Sequence, residues 1–235
     1  MEITKKFFCS LLVLMPIFLV TGPAIPDIVI SSASIFFLSV VFFNKHENKI
    51  IKFTWFKISL LFWIFLIISS FFAYDFFTSF TETLIFFRLL LIPALILYIL
   101  FEYQLAIKVL FLVIFFAIIF IIFDCLIQFF NYDSERGFGE DIFGYIPDNS
   151  PHFRLTGPFS DLVPGSYIAR FAFLGLIGIS LLINNKNIKV ILAFIYLGLC
   201  GFITYISGER MAFATFGLGI IILIFFSKKN KLLYI

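Results

Sequence analysis

A chain of 235 residues that is 62% hydrophobic and 13% charged, with a mean hydropathy of +1.12, is far poorer in charge than a soluble domain, where roughly a quarter of residues are charged. That excludes an ordinary water-soluble enzyme and points to a polytopic membrane protein. The net charge of +3 is small, so the information lies in where the charges fall.

In lipid every backbone polar group must be satisfied within a helix or a closed barrel, and the apolar runs here are continuous rather than alternating, which selects helices. At roughly 17 to 25 residues per span, eight helices are expected, at about 7–21, 28–43, 53–73, 84–101, 109–130, 166–183, 190–206 and 211–226. The second and the eighth are short for a span. Around the first, Lys5-Lys6 before an apolar run also fits a signal peptide. Pro23 and Pro26 crowd any cleavage site and no A-x-A occurs, so a retained helix is the reading.

Every lysine falls at the N-terminus, in alternate linkers or just inside their helices, or in the tail "SKKNK". By the positive-inside rule both termini are then cytoplasmic. On this map the five arginines (Arg88, Arg136, Arg154, Arg170, Arg210) and most of the acids lie on the outer side. The chain is expected to form a single integral membrane domain over 1–235, with a long outer, periplasmic loop at about 131–165.

Arg88 and Arg170 sit about one turn inside their helices, where an unpaired cation is costly. Asp124 and Gln128, at i and i+4, share a face of the fifth helix. Asp124 either pairs with Arg88 or Arg170, or meets a ligand. The loop "NYDSERGFGEDIFGYIPDNSPHFRLTGPFSDLVPG" exceeds ordinary connection length, and aromatics interleaved with its turns predict an ordered cap on the bundle. Cys9, Cys125 and Cys200 are isolated, with neither pairing nor metal-ligand spacing. They read as packing residues.

Between the last two segments, "SGER" places Ser207 to cap the final helix and Arg210 in its first turn. Free N–H groups, the positive end of the helix dipole and a planar fork of donors together suit a phosphate. Glu209 would orient the guanidinium. Read alone, the turn is better explained as an interfacial ion pair that ends two helices; the convergence of all five arginines on the outer side shifts the reading to a phosphate site.

The stretch "RLTGPFSDLVPGSYIARF", preceded by "CLIQFF" and "DIFGY" and followed one helical hairpin later by "SGERMAF", resembles the O-antigen ligase and O-antigen polymerase superfamily of bacterial envelope proteins. "SSFFAYDFFTSFTETLIFFRLLLIPAL" is similar to the family's early helices, with Arg88 in the family's place, so the resemblance runs from about residue 53 to 226. It implies a multi-helix glycosyltransferase of the inner membrane, active in lipopolysaccharide biosynthesis. Such enzymes take a glycan from an undecaprenyl-diphosphate carrier at the outer face, without a nucleotide sugar, and pass it to lipid A–core or to another carrier-linked repeat. Carried over by position, Arg88, Arg154, Arg170 and Arg210 become diphosphate contacts, while Asp161 and Glu209 hold arginine side chains or sugar hydroxyls. Neither a metal, a cofactor nor a nucleic-acid partner is expected.

Family members continue for several more helices and carry a catalytic histidine in a large outer loop, whereas this sequence stops at Ile235. His46 is on the inner side, and His152 precedes the motif without matching the family's position, so it reads as a solvated loop residue. The expectation is therefore the N-terminal part of such an enzyme, with no catalytic base named. Two other classes remain open. A transporter or flippase for a lipid-linked glycan would place charges near the midplane and show repeats, neither of which is seen here; a non-catalytic or truncated membrane subunit needs no further residues.

Overall fold

The structure, a computed structural model, describes residues 2–43, 53–100, 103–132, 137–144, 154–159 and 164–230. Among these it is all-helical, and five helices are long and apolar enough to cross a membrane: Ala24–Phe42, Phe76–Tyr98, Gln104–Phe130, Pro164–Leu182 and Lys186–Ile206. Thr54–Ser70 and Arg210–Phe226 are shorter apolar helices. The eight expected segments all contain helix, but the first is broken into α1 (Glu2–Val13) and α2 (Met15–Phe18). The linker at 44–52, with His46 and three of its lysines, and the end of the tail at 231–235 lie outside the described residues.

The chain divides into two compact units. The first comprises Met1–Met15 and Pro23–Ile107. It holds α1, α3 (Ala24–Phe43), α4 (Thr54–Ser70), α5 (Phe76–Leu90), α6 (Ile92–Leu95) and a π-helical turn, Ile96–Leu100. Helix α5 starts well before the expected boundary because Asp75 caps it, accepting from the Thr78 amide at 3.1 Å and its hydroxyl at 2.7 Å. The polar residues that follow do not interrupt the helix. Thr81 and Thr83 turn their hydroxyls back onto the carbonyls of Phe77 and Ser79. Across the α4–α5 hairpin, the Trp63 indole N–H donates to the Thr83 carbonyl at 2.9 Å.

Pro93, in the first turn of α6, ends the run of regular helix that precedes it. The π turn beyond brings Tyr98 against α1, where the Lys5 ammonium lies 3.9 Å from the ring centroid. A cation only 8% exposed is tolerable in that position because the ring face attracts it.

The second unit comprises Pro16–Gly22 and Lys108–Ile235. It contains most of α7 (Gln104–Phe130), with α8 (Pro164–Leu182), α9 (Lys186–Ile206) and α10 (Arg210–Asn230). Its core runs through Ile118, Ile121 and Cys125 of α7, Ile168 and Ala172 of α8, Cys200 and Ile203 of α9 and Phe216 of α10. Two tyrosines fix the packing. Tyr196 donates to the Ala172 carbonyl at 3.1 Å, and a side chain at Gly175 would occupy the place of its hydroxyl. Tyr167 donates to the Pro16 carbonyl at 2.6 Å, which is available because Val20 bonds to Ile17 instead.

The described parts of the long loop after α7 are ordered against that helix. Asp124 and Gln128 do share a face, and both bind loop backbone: Asp124 accepts from the Ile142 amide at 2.8 Å, and Gln128 accepts from the amides of Thr156 and Gly157, each at 3.0 Å. The expected pairing of Asp124 with Arg88 or Arg170 is not formed. Arg88 pairs with a carboxylate of its own unit, Asp27, at 2.8 Å, and the second oxygen of Asp124 is buried without a hydrogen bond among the described residues.

Candidate functional site

At the α9–α10 junction, helix α9 stops on Ser207, and Gly208 takes a left-handed φ of +71° that a side chain would resist. The chain then re-enters helix at Arg210, and the Glu209 carbonyl already accepts the Phe213 amide at 3.0 Å. Ser207 does not cap α10, contrary to expectation. Its hydroxyl points back along α9 and donates to the Thr204 carbonyl at 2.9 Å, and its side chain is fully buried. Glu209 is the residue that opens α10.

Helix α8 meets this turn at its first residues. Gly165 has no side chain, and one placed there would collide with the Ser207 hydroxyl and crowd the Glu209 carboxylate. The close approach lets Ser166 donate a short hydrogen bond to Glu209 Oε2. Arg154 arrives from the loop, its Cγ and Nε within van der Waals reach of the position a Gly208 side chain would take.

Together these residues line an open cleft of about 650 Å³: Arg154, Ser166, Ile206, Gly208, Glu209, Arg210 and Met211. Two guanidinium groups and one carboxylate face it. The carboxylate is held by a serine rather than by either arginine, so among the described residues no carboxylate ion-pairs with Arg154 or Arg210. The α10 N-terminus adds the positive end of its dipole at the same place. The chemistry on offer is recognition of an anion with hydroxyl-bearing neighbours: planar donors for phosphate oxygens, and a carboxylate and a serine for hydroxyls.

Of the six residues expected to bind substrate, the structure brings Arg154, Glu209 and Arg210 together. Arg88 belongs to the first unit. There it donates from Nη2 to Asp27 and from Nη1 to Ser31, both at 2.8 Å, with its Nε buried and without a hydrogen-bond partner among the described residues. Arg170 is exposed on α8 and does not line the cleft. Asp161 lies outside the described residues, as do His152 and Arg136.

Ser166 is the contact that sequence reasoning missed. Its signal was its place: a hydroxyl directly after Pro164-Gly165, in the first turn of a helix that antiparallel packing brings to the "SGER" turn. Among the described residues no group of three or more histidine, cysteine, aspartate or glutamate side chains is arranged to hold a metal ion. No family model, no curated protein and no solved structure matches this chain.

Proposed function

We propose that the chain is an O-antigen ligase- or polymerase-like protein of the bacterial inner membrane, and that its cleft receives the diphosphate of an undecaprenyl-diphosphate-linked glycan at the outer face. In this reading eight helices cross the membrane with both termini in the cytoplasm. The acceptor is lipid A–core or a second carrier-linked repeat. The observation that carries the proposal is the cleft itself. Arg154 and Arg210, from a loop and a helix start far apart in sequence, converge with Glu209 and Ser166 around one open space.

Breaking a sugar–phosphate bond leaves negative charge on the departing lipid diphosphate, and donors fixed in advance around it lower the barrier. The Arg154 and Arg210 guanidinium groups and the free N–H groups of α10 are such donors. Glu209, held by Ser166, is positioned for a sugar hydroxyl. Arg88 serves the packing of α5 on α3 through Asp27 and Ser31, and is not assigned to the diphosphate. No residue is assigned as the base.

The test is the polysaccharide ladder made by cells whose only copy carries Arg210→Ala or Arg210→Lys. Both variants insert normally and both lose glycan transfer, because lysine keeps the charge but not the two-pronged geometry. Arg136→Ala, outside the stretches that carry the resemblance, keeps it. Normal ladders from both Arg210 variants overturn the proposal.

A further inference from the structure

Arg154 reaches the cleft from a short stretch of loop, and something must hold that stretch still. The described residues 154–159 contain no helix or strand, so their backbone groups need partners from elsewhere. Gln128, fully buried on α7, supplies them. Its Oε1 accepts from the amides of Thr156 and Gly157, each at 3.0 Å. Its Nε2 donates to the Thr156 hydroxyl at 3.1 Å. One side chain thus satisfies two consecutive amides and a hydroxyl, which fixes the loop in position and in rotation.

The grip is reinforced on both sides. Leu155, next to Arg154, is fully buried in the core of the second unit. Gly157 has a left-handed φ of +55°, and a side chain on it would come within 2.6 Å of Cys125 Sγ. With Leu155 buried and residues 156 and 157 clamped, Arg154 has its direction set by its neighbours, and its side chain lies alongside Gly208.

We propose that Gln128 is a positioning residue that acts through Arg154: it is outside the cleft, but it determines whether the loop guanidinium is in place there. The clamp stands on hydrogen bonds within one unit, and only its consequence for ligand rests on the diphosphate reading above.

The experiment uses the full chain in detergent with two readouts. Trypsin cutting after Arg154 reports the clamp, since the scissile bond leads into buried Leu155; farnesyl diphosphate binding reports the cleft. Gln128→Leu removes both acceptor bonds, and cutting is expected to speed up about 10-fold or more, because two buried amides lose their partner. Gln128→Glu keeps the acceptor oxygen and restores slow cutting. Thr156→Val, a milder change for use where Gln128→Leu fails to fold, gives an intermediate rate.

For binding, Gln128→Leu weakens farnesyl diphosphate by about 10-fold in the native background and has little further effect in Arg154→Ala, as residues acting through one another are non-additive. Unchanged cutting in both Gln128→Leu and Thr156→Val overturns the clamp. An equal loss of binding with and without Arg154 overturns the action through Arg154. Failure of the unsubstituted protein to bind farnesyl diphosphate, with the cutting pattern as expected, counts against the diphosphate reading and for the clamp.

Discussion

Arg88 and Arg154 are the same residue type in two differently solved surroundings. Arg88 emerges from a helix of the first unit and spends its fork on Asp27 and Ser31. Its demand is met locally, so it contributes to helix packing. Arg154 emerges from a loop of the second unit, stays exposed, and shares its cleft with a carboxylate already occupied by Ser166. What separates an arginine committed to packing from one left facing a cleft here is whether a carboxylate on a neighbouring element is free to answer it.

The change that breaks this contrast most severely acts on the loop. Gly157→Ala forces a side chain into a left-handed conformation and against Cys125 Sγ. The two costs together amount to about 3 kcal/mol. Thermal unfolding in detergent should show the loss, and a Cys125→Ala background should recover only the contact part. A Gly157→Ala protein as stable as the original would mean that the loop is not seated as described.

A smaller effect is expected from Asp27→Ala. It leaves the Arg88 cation with Ser31 alone, at a cost of about 1–2 kcal/mol, below that of a fully buried pair because Asp27 is half exposed. The double substitution Asp27→Ala/Arg88→Ala should be less damaging than the sum of the two singles. Additive losses would sink the pairing. In the second unit, Arg154→Ala and Arg210→Ala should each change stability by less than about 0.5 kcal/mol, as exposed residues do when they have no ionic partner among the described residues. A large loss at either would make that arginine structural, like Arg88.

Which parts could be read in advance follows from range. Hydropathy is a property of a contiguous run, so helices such as α7 and α9 were legible to within a few residues. The break at Leu14 and the early start of α5 were not, because they depend on single local bonds: the missing N–H of Pro16 and the Asp75 cap. In the cleft, the turn-forming Gly208 and the adjacent charges of Glu209 and Arg210 announced themselves as polar residues among apolar ones. Ser207 was misread because serine caps a following helix or bonds back to a preceding one equally well, and the choice is made by packing against Gly165. Gln128 shared the expected face with Asp124, but its partners are backbone amides about 28 residues away, and amides leave no trace in residue type.

The smallest expected effect concerns how α5, the helix that carries Arg88, begins. The Thr78 hydroxyl and then its amide hold the Asp75 carboxyl below the usual aspartate range. A group whose folded value is lowered contributes stability above its unfolded value and loses it as pH falls through the folded one. The helix start should therefore weaken only in strong acid. Asp75→Asn keeps an acceptor for Thr78 but has no proton to take up, so the gap in unfolding midpoint between the original protein and this variant should narrow as pH drops from about 6 to about 2. The effect is modest because Asp75 is fully solvated. A gap that stays constant over that range would show that the carboxylate's charge plays no part in starting α5, leaving the Asp27–Arg88 pair as the ionic contact that seats the helix.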